Sequence, residues 1–166
     1  PTRTLEWVEE RNWFFRLSHY REFLTRHIEA HPEFVQPTSR RNEILGLLRQ
    51  GLDDISASRA RFAWGVPFPR PTSDGESQTT YVWFDALPNY WTATRFPGSG
   101  AQWPAQLHVI GKDITRFHCV IWPAMLRSAG AGDFDVLVVG YVSRFLRNLK
   151  QTLDVVQQYT GWLDVG

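Results

Sequence analysis

The sequence lacks the residues that hold small stapled or metal-bound proteins together: it has one cysteine, Cys119, in 166 residues. A single cysteine excludes an internal disulfide framework and a cysteine-rich zinc site within these residues, and it is compatible with a reducing compartment. Charge of one sign is also scarce. The 18 Lys and Arg against 17 Asp and Glu leave a formal net charge of +1, so no overall basic field advertises nucleic-acid binding. The apolar runs are too short to cross a bilayer, so no membrane association is expected. The opening residues PTRTLEWVEE have no initiator methionine, cationic start or apolar signal core, and they read as a cut edge.

What is there fits an ordinary globular domain. Apolar residues make up 43% and charged residues 21%, a balance that indicates neither wholesale disorder nor a membrane protein, and the length suffices to bury a core without staples. Tryptophan occurs eight times, which implies large side chains in cores or in aromatic-lined pockets.

Residues 1–75 read as a helical and loop-rich segment. NWFFRL is a short strand candidate, followed by Ser18 as N-cap of the helix HYREFLTRHIEAH, which Pro32 ends. A second helix, RRNEILGLLRQ, follows the N-cap candidates Thr38 and Ser39 and stops at Gly51, with Ile44, Leu47 and Leu48 on one face. Trp64 to Gln78 is rich in Pro, Gly, Ser and Thr, predicting an extended connection with a surface loop. Over 76–166 the pattern becomes strands alternating with helices: TYVWF before DALPNYWTAT, LHVI before a helix from about Ile114, and DVLVVG before a helical pattern from about Leu146. That order predicts an α/β fold with a parallel sheet covered on both faces. No repeat of solenoid length and no low-complexity tract is found.

Asp85 and Asp113 each follow a strand candidate at a helix start, so a parallel sheet would bring both, with Trp83 and Gly111, to the carboxyl rim where such folds bind ligands. Ile114, His118 and Trp122 are four apart and line one helix face, while Ala86 and Tyr90 line another. With Trp83 they describe an aromatic pocket with two polar tips, suited to an apolar but polarizable side chain such as a thioether. The plain alternatives are that the aromatics are core and the aspartates simple N-caps. Gly111 and Lys112 fall far short of a P-loop.

Taken together, EWVEERNWFFRLSHY, PTSRRNEILGLLRQGLDDISASR, WGVPFP, YVWFDALPNY and HVIGKDITRFHCVIWPAML resemble methionyl-tRNA synthetase, in that family's order. The resemblance implies the C-terminal half of a Rossmann-type class I synthetase core over 76–166, preceded over 1–75 by the end of a helical connective insertion. It implies ATP-dependent activation of methionine and its ligation to tRNA, with magnesium accompanying ATP. Trp83, Ala86, Tyr90, Ile114, His118 and Trp122 match the family's methionine pocket; Gly111, Lys112, Asp113 and Arg59 match positions around its adenosine.

The departures set the functional expectation. The family's His-Ile-Gly-His motif and the zinc-bearing part of its insertion are expected to precede Pro1, so no zinc or other metal ligand set is expected within these residues. Lys-Met-Ser-Lys-Ser is lost or reduced to Arg144 and Phe145, and Val139 stands where the family has a histidine. The family's anticodon-binding domain is not expected within these residues, making tRNA a partner of the parent family rather than one expected of these residues alone. Adenylate formation needs preorganised donors for developing negative charge, so inactivity in isolation is expected. The alternative is a non-catalytic binding or interaction module derived from the synthetase fold. The expected compartment is the cytoplasm, with the mitochondrion as the alternative.

Overall fold

A computed structural model describes residues 9–95, 97, 103–105, 107–130 and 137–138. The N-terminal helices follow the sequence closely. A short 3-10 helix, Leu17–Tyr20, runs into α1, Arg21–Ala30, and α2 spans Thr38–Gln50. Leu24 and Ile28 of α1 face Ile44, Leu45 and Leu48 of α2, the spacing that places apolar side chains on one helical stripe. Helix α2 stops because Gly51 adopts φ 107°, a conformation strained for any residue with a Cβ, and its N–H closes on the Leu48 carbonyl at 3.2 Å.

The helix starts differ from expectation. Ser18 does not cap α1: it lies inside the 3-10 helix, where its N–H and hydroxyl both donate to Asp54, at 3.1 and 2.6 Å. A carboxylate from a distant loop has taken the serine that would otherwise satisfy the helix end, and these bonds hold the Asp54 carboxyl below the usual range. Thr38 and Ser39 lie within α2, whose N-cap is Pro37.

Among the described residues the sheet content corrects part of the strand order expected over 76–166. The run TYVWF is strand only at β5, Thr79–Thr80, and turns helical as α3, Val82–Ala86, followed by α4, Asn89–Arg95. Strand β5 pairs antiparallel with β4, Ser58–Arg59, in the register Ser58↔Thr80 and Arg59↔Thr79. The preceding β3, Ile55–Ser56, pairs antiparallel with β1, Phe14–Phe15. Residues 66–68 join the far side of β5 through Thr80 N–H to Val66 O and Phe68 N–H to Gln78 O, folding the Pro- and Gly-rich connection into a hairpin. LHVI holds a lone bridge position at Val109 rather than a strand. The expected strand DVLVVG is present at β6, Leu137–Val138, which pairs in parallel with β2, Val35–Gln36. The helical pattern expected from Leu146 lies outside the described residues.

One buried core runs through both sequence halves, joining Leu17, Leu24, Ile28 and Phe34 to Leu87, Ile110, Val120 and Leu126. A buried polar stitch ties the antiparallel patch together. Ser58 Oγ accepts the Trp13 N–H at 2.8 Å and donates to Gln78 Oε1, while Gln78 Nε2 donates to the Arg11 carbonyl at 2.6 Å.

Candidate functional site

The site is assembled from α3, α4 and a helical rod over residues 112–129. This rod changes pitch along its length: a 3-10 turn at Lys112–Ile114, a π-helical turn at Phe117–Ile121, and α5 at Trp122–Ala129. The wide turn has a cause in the sequence. Pro123 has no N–H, and its ring would press on the carbonyl four residues earlier in an uninterrupted α-helix. The π turn relieves this, with the Trp122 N–H bonding the Phe117 carbonyl five residues back.

Within the rod His118 is 2% exposed and makes two hydrogen bonds, Nδ1 to the Ile114 carbonyl at 2.9 Å and Nε2 to the Tyr90 hydroxyl at 2.7 Å. A carbonyl can only accept, so Nδ1 carries the proton. The neutral ring then presents the Nε2 lone pair, and Tyr90 O–H is the donor. Neutrality is favoured by burial, which pulls His118 below its ordinary 6.5 against the opposing Ile114 bond, and burial likewise raises the Tyr90 phenol.

Around this pair the aromatics close in. The Tyr90 ring lies 6.3 Å from Trp122, itself 2% exposed, and Trp122 meets Trp103 edge-on at 6.1 Å. Trp83 stacks on Phe117 at 3.9 Å and 18°, next to His118 in the chain. Tyr90 is 36% exposed, and Trp83, Phe117 and Trp103 are half-buried. The structure thus gathers Tyr90, His118 and Trp122 directly, with Ile114 as the carbonyl that orients His118. Trp83 is reached through Phe117, and Ala86 lies on α3 one turn beyond Trp83.

Sequence reasoning missed three members. Phe117 supplies the stacking surface for Trp83, and Trp103 backs Trp122. His108 meets the Tyr90 ring edge-on at 4.6 Å and 85°. A signal for His108 exists, because it alternates with exposed Val109 and lies on the same buried side as Ile110. Burial first, and the neighbouring His118 imidazole second, push its pKa down to about 4.

The second set of expected residues is more open. Gly111 precedes the rod with extended backbone, and its carbonyl accepts the Ile114 N–H at 3.2 Å. Lys112 Nζ and Asp113 Oδ1 form an exposed ion pair at 2.6 Å. Neither aspartate is an N-cap: Tyr81 precedes α3 and Gly111 precedes the rod, because the chain turns helical before reaching Asp85 and Asp113. Arg59 lies over the Tyr81 ring at 4.0 Å, a cation–π contact at the start of α3. The carboxylate of Asp113, free in solvent on one side, has the chemistry to accept hydroxyl protons of a sugar. Among the described residues no three His, Cys, Asp or Glu side chains converge as a metal site, and no helix is long and apolar enough to cross a membrane. A groove of about 550 Å³ opens between α1 and α2, lined by Arg21, Thr25, Arg26 and Arg49 among others, and shares none of the aromatic residues.

A family model described as tRNA synthetases class I (M) matches residues 2–152. The chain belongs to the class I methionyl-tRNA synthetase family. It is 47% identical to a methionine–tRNA ligase of Thermosynechococcus vestitus over 95% of its own length and 32% of that relative's. It is 50% identical to one of Thermotoga maritima over 77% of its length and 20% of the relative's. Among solved structures, the Mycobacterium tuberculosis methionyl-tRNA synthetase bound by methionyl-adenylate superposes with a TM-score of 0.70 at 46% identity, covering 81% of this chain and 27% of that one. The chain therefore spans about a fifth to a third of the length of these relatives, and its fold is that of a class I, Rossmann-like catalytic core in part.

Proposed function

We propose that these residues form part of the site at which a methionyl-tRNA synthetase activates methionine with ATP before ligating it to tRNA. The observation that carries this reading is the Tyr90–His118 hydrogen bond set among Trp83, Phe117 and Trp122. A core residue needs no exposed face, whereas Tyr90 is exposed and Trp83 half-buried at a polar pair whose tautomer is fixed. Such a wall favours a thioether, which gains area burial and sulfur–aromatic contact.

In this reading Trp83, Ala86, Tyr90, Ile114, His118 and Trp122 line the methionine side, and Gly111, Lys112, Asp113 and Arg59 the adenosine side. ATP brings the phosphoryl electrophile, and magnesium arrives with it; the described residues offer the ion no protein ligand set of their own. Segment 1–75 serves as the end of the connective insertion and 76–166 as the second half of the core. The rival reading, a non-catalytic interaction module, draws on one observation: Trp64 is 93% exposed with Phe62 and Val66 also exposed beside it, more apolar surface than a loop usually leaves in water.

Calorimetry or ligand-observed NMR with methionine tests the site. The chain should bind methionine weakly, ahead of polar amino acids, and Trp83→Ala should abolish binding while leaving the far-ultraviolet circular dichroism unchanged. Equal binding by a folded Trp83→Ala protein would show that these aromatics are core.

A further inference from the structure

Most arginines of this fold have an occupation. Arg11 pairs with Asp74, Arg40 with Glu43 and Arg61 with Glu10; Arg41 donates to the Ile28 carbonyl; Arg59, Arg95 and Arg127 lie over aromatic rings. Arg21, Arg26 and Arg49 differ. Among the described residues none of the three has an ion-pair or cation–π partner, and all three are exposed on the same groove of about 550 Å³ between α1 and α2.

The helices bring them together. Arg21 and Thr25 are four apart on α1, as are Glu22 and Arg26, so the two pairs stand in adjacent rows at the start of that helix. Arg49 comes from the last turn of α2, next to Leu48, whose side chain turns inward and floors the groove. Three guanidiniums against the one carboxylate of Glu22 leave a local excess of two positive charges, in a chain whose formal net charge is +1. A solvated helix face gains nothing from gathering like charges, whereas a concave surface lined by one sign concentrates the opposite ion.

The charge and the donors define that ion. A guanidinium offers its N–H groups in a planar fork that fits phosphate or carboxylate oxygens. A phosphomonoester carries about 1.5 to 2 negative charges near neutral pH on three terminal oxygens, which matches both the excess charge and the three arginines; a carboxylate brings one charge and two oxygens. The groove has the volume of a small-molecule site. Glu22 would repel the further phosphates of a polyanion, yet it can accept a hydroxyl proton of a sugar.

We propose that the groove between α1 and α2 binds a small phosphomonoester, with Arg21, Arg26 and Arg49 holding the phosphate and Glu22 accepting from a hydroxyl of the group that carries it. A sugar phosphate has this chemistry. The groove shares no residue with the Tyr90 cluster, so the assignment stands or falls apart from the methionine reading.

Calorimetry on the full chain at low ionic strength, where screening is weak, tests it with ribose 5-phosphate, ribose, dimethyl phosphate and a short single-stranded RNA without terminal phosphates. Ribose 5-phosphate should bind saturably and ahead of the other three. Arg21→Gln, Arg26→Gln and Arg49→Gln should each weaken it by about threefold to tenfold, the range of a charged hydrogen bond at an exposed site, and the triple variant should lose it. Arg70→Gln, at an exposed arginine outside the groove, should change nothing. Glu22→Gln should bind inorganic phosphate about twofold to fivefold more tightly, because it removes a repelling charge. Absence of ribose 5-phosphate binding, equal binding by the triple variant, or weaker phosphate binding by Glu22→Gln overturns the site. Dimethyl phosphate or RNA bound as well as ribose 5-phosphate overturns the monoester assignment.

Discussion

Acidification should loosen this protein through His108 well before its carboxylates protonate. The unfolded chain binds a proton at this residue below the ordinary value of 6.5, whereas burial and the nearby His118 delay protonation in the folded chain to about 4. Between those values the unfolded state holds more protons. Stability is therefore full above about pH 6.5, declines as pH falls through the window, and has lost the whole contribution below about pH 4. For a shift of this size the linkage relation gives a loss of about 2 kcal/mol at pH 5 and about 3 kcal/mol at the acid limit. His118 is depressed as well and acts in the same direction. Urea unfolding followed by tryptophan fluorescence at pH 7.5 and pH 5 measures the loss, and the same pair of measurements on His108→Phe isolates it. The variant should be at least as stable as the wild type at pH 7.5 and should lose about 2 kcal/mol less on going to pH 5. Parallel losses in the two proteins would mean that His108 takes up its proton equally in both states, and the account of its burial would fail.

Two further outcomes test the stitch and the chemistry. Ser58→Ala removes the acceptor for the Trp13 N–H and the donor to Gln78 Oε1 together; it should destabilise the protein by about 1–3 kcal/mol in urea titrations, and an unchanged midpoint would show that the antiparallel patch does not depend on it. Methionine-dependent ATP–pyrophosphate exchange by these 166 residues alone should be undetectable, because each missing electrostatic clamp lowers the rate by about 100-fold or more; exchange that survives trace-enzyme controls and is lost in Asp113→Ala would refute this.

The two N-terminal helices were legible because their limits are local. Pro32 and Gly51 act through backbone geometry within a residue or two, and the apolar stripes of α1 and α2 need only a periodic sequence to be seen. Their caps were not legible, because Ser18 answers to Asp54, 36 residues away. The run TYVWF failed for a related reason. A short apolar run is compatible with either a strand or a buried helix, and periodicity cannot separate them. The decision is made by Ala57, whose carbonyl takes the Tyr81 N–H as the last bond of the antiparallel patch, after which Phe84 N–H turns back to the Tyr81 carbonyl and begins α3.

The site divides along the same line between local and tertiary causes. A spacing of four is enough to relate Ile114 to His118, since the bond between them lies inside one turn. It gives no hint that Pro123 widens the next turn, nor that Phe117 is consequently available to stack on Trp83. His108 was hidden for a subtler reason. A histidine on the inner side of an apolar run is most often a satisfied core residue, and nothing in LHVI distinguishes one that is satisfied from one that is not. That distinction is a property of the surrounding atoms: the Tyr90 ring offers His108 an edge contact, while its Nε2 meets no hydrogen-bond partner among the described residues. The residue that sequence reading passed over is thus the one whose polarity the fold leaves unanswered.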